Sequence, residues 1–160
     1  MSGNDLAMLT SMRPLAFIAA VAVSACASPQ PALFDPATTT VAIDRTGGLE
    51  PAPAAGSTCI LGQETYTYVI ATETLTWSIC RAPTPDGVYT QVPGQANLST
   101  SEAAALLDVL RALQPPKEGC SSDAHATYTF STPHGAVIVD NGICMAGDND
   151  VSDALYAITG

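Results

Sequence analysis

The sequence predicts an α+β domain: a small antiparallel sheet of about four strands with two helices on one face and two disulfides. Three observations predict it. Several short runs alternate apolar and polar residues with period two, one amphipathic helix carries a complete start signal, and four cysteines fall in two groups of similar spacing.

The first strand pair lies at 65–79. Tyr66, Tyr68 and Ile70 alternate with Thr65, Thr67 and Val69, and after a turn near Thr72 and Glu73 come Leu75, Trp77 and Ile79 against Thr74, Thr76 and Ser78. Two adjacent period-two runs make a hairpin. Residues 81–98 read as a Pro/Gly-containing excursion with a short strand at Val88 to Val92. The helix over 100–114 follows: Ser99 and Glu102 have capping-box spacing, Leu106, Leu107, Leu110 and Leu113 share one face, and Pro115 and Pro116 end the run. Ala126, Tyr128 and Phe130 then alternate with threonines, Thr132-Pro133-His134-Gly135 supplies turn chemistry, and Val137 to Val139 completes a second hairpin. A last helix over 151–158 would bury Ala154, Leu155 and Ile158.

The two halves line up. Cys59 precedes a Thr-Tyr-Thr-Tyr run, Cys120 precedes Thr-Tyr-Thr-Phe, and the hairpins end in Ile79-Cys80 and Ile143-Cys144. Two ββα units about 60 residues apart account for this. Coincidence is the competing account, because Thr-Tyr alternation is generic strand vocabulary. Four cysteines allow three pairings; closure of each unit on itself would join Cys59 to Cys80 and Cys120 to Cys144. Loops of that length contribute about 3 kcal/mol each in the chain-entropy model.

The N-terminus carries an address. Arg13 precedes the apolar stretch 14–23, which is too short to span a bilayer but suits a secretory signal. Val23-Ser24-Ala25-Cys26 resembles the lipobox of bacterial lipoproteins, a resemblance limited to the export signal. It implies removal of residues 1–25, a lipid on Cys26, and attachment to the envelope membrane, the outer one in a two-membrane host because Ala27 follows the cysteine. Residues 26–57, rich in Pro and Ala, then read as a tether, and 58–160 as the disulfide-stabilised domain. Within the tether, Thr38 to Asp44 alternates as an edge strand would.

The charge excludes some functions. The chain has 5 Lys+Arg against 15 Asp+Glu, a net −10, with mean hydropathy +0.23. Removing residues 1–25 leaves Arg45, Arg81, Arg111 and Lys117 as the cations, and the balance is unchanged. Such a chain lacks the cations that neutralise phosphates, so nucleic acid is not an expected partner.

No chemistry-bearing motif stands out. There is no G-x-S-x-G elbow, P-loop, Rossmann glycine pattern or H-E-x-x-H, and no cofactor is expected. Cys120, His125, His134 and Cys144 form a Cys2His2 set in name, but their spacings are not those of a structural zinc site. Asp148, Asn149, Asp150 and Asp153 begin like a calcium loop, yet the glycine and the closing glutamate are missing; capping by Asp150 and a dipole contribution from Asp153 explain them better. The solvent face of the sheet would be lined by Thr65, Thr67, Thr74, Thr76, Thr127 and Thr129. These readings favour a noncatalytic module that binds an envelope protein or glycan. The alternatives are an envelope hydrolase using His125 or His134 with distant residues, and a protease-inhibitor-like domain presenting loop 81–98.

Overall fold

The computed structural model describes residues 33–48, 53–82 and 87–160. The segment read as an export signal and Cys26 lie outside them, as do residues 49–52 and 83–86. In chain order come β1 (Thr40–Thr46), β2 (Glu64–Val69), β3 (Thr74–Arg81), β4 (Thr90–Asn97), α1 (Thr100–Ala112), β5 (His125–Thr132), β6 (Gly135–Val139) and α2 (Asp148–Thr159). The strands form one antiparallel sheet of six, not four, in the order β4-β3-β2-β1-β5-β6.

Both additional strands fall where sequence signals were weak. β1 lies inside the segment read as tether, and instead of an edge it is central: Ile43 stands between Tyr66 and Tyr128, and Val41 between Tyr68 and Phe130. The folded domain therefore begins well before residue 58. Leu33 and Phe34 already pack on the core, Phe34 edge-on against Phe130. β4 runs through Pro93 and Gly94, beyond the expected 88–92. An edge strand tolerates proline, which cannot donate to a ladder. Gly94 is required by its neighbour, since a Cβ there would lie 2.2 Å from the Trp77 ring.

The core forms on one face of the sheet. Val41, Ile43, Tyr66, Tyr68, Leu75, Tyr128 and Phe130 alternate inward and meet Ala103, Leu106 and Leu110 of α1 and Val151 and Leu155 of α2. α1 starts as its sequence requires: the Ser99 hydroxyl accepts from the Glu102 amide at 3.3 Å, and the Glu102 carboxylate accepts from the Ser99 amide at 2.8 Å. α2 begins at Asp148, earlier than 151. Its N-cap is Gly147 with φ 96°, so Asp150 belongs to the first turn and is not the cap.

The cysteines pair as Cys59–Cys80 and Cys120–Cys144, each with Cα atoms 5.9 Å apart. This removes Cys120 and Cys144 from any zinc set. The ββα duplication does not survive the topology. β2 and β5 flank β1, run in the same direction and turn their aromatic residues to the same face, but β3 and β6 lie on opposite outer sides. Hairpins arranged in that way are mirror images, which no rotation superposes. The sequence likeness reflects a shared environment: Tyr66 and Tyr128 both border Ile43, and Tyr68 and Phe130 both border Val41.

Candidate binding face and a polar recess

Among the described residues no element covers the face opposite the helices, and the strand register arranges it in rows. One row runs Gln95, Thr76, Thr67, Ala42, Thr129, Ile138; the next runs Pro93, Ser78, Thr65, Asp44, Thr127. Period two dictates this, because every residue between the buried ones of β2 and β5 is a threonine. Ala42 is the smallest side chain in its row and is flanked by Thr67 and Thr129. The result is a shallow trough of about 380 Å³ along β1, lined by Ala42, Asp44, Thr65, Thr67, Thr127 and Thr129.

Hydroxyls differ across the face. Towards β4 they are engaged within the sheet: Ser78 donates to Gln91 at 2.7 Å, Thr74 to Asn97 at 3.2 Å, and Thr76 to the Thr67 carbonyl at 3.4 Å. Thr127 donates to Asp140 at 3.3 Å. Among the described residues, the hydroxyls of Thr65, Thr67 and Thr129 bond to no other protein group. Three hydroxyls beside a floor of one methyl group can each donate and accept. Asp44 is the single charge in the trough lining.

A second polar feature sits where the same strands end. Arg45 follows Val41 and Ile43 in phase and so points into the core side, where its guanidinium pairs with Asp148: Nη2 to Oδ1 is 2.6 Å and Nη1 to Oδ2 is 3.3 Å. The Tyr128 hydroxyl accepts from Arg45 Nη2 at 2.7 Å and donates to Asp148 at 2.6 Å. The pair thus fastens the start of α2 to β1 and β5. Burial opposes the charge on Arg45, but Tyr128 and Asp148 together hold its pKa above the ordinary arginine value. Burial raises the Tyr128 pKa strongly.

Directly across the ladder from Arg45 is Glu64, buried and in phase with Tyr66 and Tyr68. It accepts from Tyr66 at 3.0 Å and from Tyr156 of α2 at 2.9 Å. Burial, then contact with Glu64, raises the pKa of both tyrosines. A recess of about 160 Å³ opens beside this network, bordered by Arg45, Glu64, His125, Ile143 and Tyr156. Gly62 and Gly47 shape its rim: a Cβ on Gly62 would lie 2.7 Å from the Gly47 Cα.

The histidines separate. His125 is exposed at the start of β5 and borders the recess, while His134 is exposed in the β5–β6 turn, its amide donating to Thr132 at 3.1 Å. Sequence reasoning missed Arg45 and Glu64. Their signal was available, because period two places each among buried apolar residues of its own strand, where a charge needs a partner.

Fold and face together define a disulfide-stabilised α+β domain with a hydroxyl-lined sheet surface that is open among the described residues. The chain matches no protein-family model, no curated protein and no solved structure.

Proposed function

We propose that the chain is a lipid-anchored bacterial envelope protein, held through Cys26, whose domain is a noncatalytic binding module for an uncharged, polyhydroxylated envelope glycan. One observation carries the reading: the central trough presents the unengaged hydroxyls of Thr65, Thr67 and Thr129 over Ala42, on a face that no other element covers among the described residues. Hydroxyls that donate and accept suit sugar hydroxyls, which do the same. The net charge of −10 repels polyanions and leaves neutral partners unaffected. An antiparallel sheet with helices on one face leaves the other free to meet a chain lying along it.

The test is co-sedimentation of the protein with purified insoluble envelope glycan. Wild type is expected to pellet with it, and the pair Thr67→Arg and Thr129→Arg, which fills the trough with long charged side chains, to remain in the supernatant. Pelleting of both equally would reject the face. Cys26→Ser is expected to release the protein from membranes, and continued retention would reject the anchor.

A second reading draws on the recess. It sets His125 beside Glu64, Arg45 and Tyr156, an acid–base assortment that an envelope hydrolase could use, although no serine or cysteine is among the residues lining it. Turnover of any envelope ester, amide or glycoside that His125→Gln abolishes would favour it.

A further inference from the structure

The sheet ends in two unequal edges. β4 is blunted by Pro93 and interrupted by Gly94, over which Trp77 lies. β6 has neither device: Gly135-Ala136-Val137-Ile138-Val139 holds no charge and no proline, and Ile138 and Val137 are 62% and 45% exposed. They are two of the four large apolar residues exposed among the described residues. Such an edge is a template for another strand unless something pairs with it.

The register fixes which groups are available. The Thr39 amide donates to the Ser131 carbonyl, so Ser131 turns its backbone toward β1. Its partner across the β5–β6 ladder is Ala136, and the next non-hydrogen-bonded pair is Thr129 with Ile138. The N–H and C=O groups of Ala136 and Ile138 therefore point outward.

We propose that β6 is a self-association surface, and that its occupant is β6 of a second copy of this chain, antiparallel about a two-fold axis at Val137. In that register Ala136 faces Ile138 of the second copy, and both pairs of this kind join outward-facing groups into a ladder. Val137 faces Val137. His134 in the turn falls opposite Asp140 of the second copy, so the acidic end of each strand meets an imidazole and not another acid. Charge selects this edge: each copy carries −10, and β6 offers an approach without a charge at its centre. The product is a continuous sheet of twelve strands with the two threonine faces side by side. The inference rests on the edge alone and does not require either face to bind glycan.

Sedimentation equilibrium of the full chain in density-matched detergent micelles is expected to show a monomer–dimer equilibrium. Ile138→Lys, at an exposed position, is expected to weaken it by roughly tenfold or more without changing the melting temperature measured at concentrations where both proteins are monomers. On mild oxidation Val137→Cys should link two copies through residue 137, because directly opposed non-hydrogen-bonded residues bring their side chains close. Ile138→Cys, which faces Ala136 of the second copy, should not link to itself. A monomer at every concentration, a dimer indifferent to Ile138→Lys, or self-linking at 138 in preference to 137 would each overturn the proposal. So would β6 of a monomeric chain linking to a different protein.

Discussion

Arg45→Met isolates the buried ion pair. The substitution keeps the aliphatic stem and removes the cation, leaving the Asp148 carboxylate, whose side chain is 5% exposed, with the Tyr128 hydroxyl as its side-chain partner. Arg45 itself is only 12% exposed, so solvent screens the pair little. Removing one member of such a pair costs about 3 to 5 kcal/mol, most of it the penalty for the charge left behind. On a typical net stability of about 5 to 15 kcal/mol that is a severe loss. Replacing both members, as Arg45→Met with Asp148→Leu, should restore most of it, because an apolar pair of similar volume is often neutral. Urea unfolding at neutral pH with the disulfides intact measures each member of the cycle. A single-variant loss below about 1 kcal/mol, or a double variant as unstable as the sum of the singles, would refute the reasoning that the pair is buried and coupled.

A fragment beginning at Ser57 lacks β1, the strand between β2 and β5. It should fail to unfold cooperatively by circular dichroism, whereas one beginning at Pro31 should melt as the whole domain does. Tyr66, Tyr128 and Tyr156 have pKa values raised in the folded state. A raised phenol contributes stability that is fully present below the unfolded value of about 10 and is lost as pH climbs towards the folded value. Unfolding free energy should therefore fall above pH of about 10, and Tyr128→Phe should flatten that fall. Breaking Cys59–Cys80 by Cys59→Ala with Cys80→Ala should cost about 3 kcal/mol for its 21-residue separation; thermal melts of this variant against wild type measure it.

How much of this was legible depended on whether the information was local. β2, β3 and β5 declare themselves by period two, and α1 by Ser99, Glu102 and its leucines, because alternation and capping are settled within a few residues. β1 was noticed but misplaced. Its seven residues sit among prolines, and nothing local shows that both its ladders are filled; that depends on β5, whose partners lie 79 to 91 residues further along the chain. β4 offered a polar run with Pro93 and Gly94, which reads as a loop and becomes a strand only through its pairing with β3.

The candidate face was half legible. Its threonines follow from the phase of the tyrosines, but the trough requires Ala42 between them, and so requires β1 at the centre. The Arg45–Asp148 pair spans 103 residues, and Asp148 by itself looked like one acid in a helix-start cluster. The duplication misled because similar strand vocabulary suits two strands that share one neighbour, whatever side their hairpins take.

Amide chemical-shift mapping with soluble oligosaccharide fragments of the envelope glycan tests the binding-module reading most directly. Titration is expected to perturb Ala42, Thr65, Thr67 and Thr129 together while leaving His125 and Tyr156 in place. Perturbation confined to the recess, or none on the threonine face at saturating oligosaccharide, would contradict it.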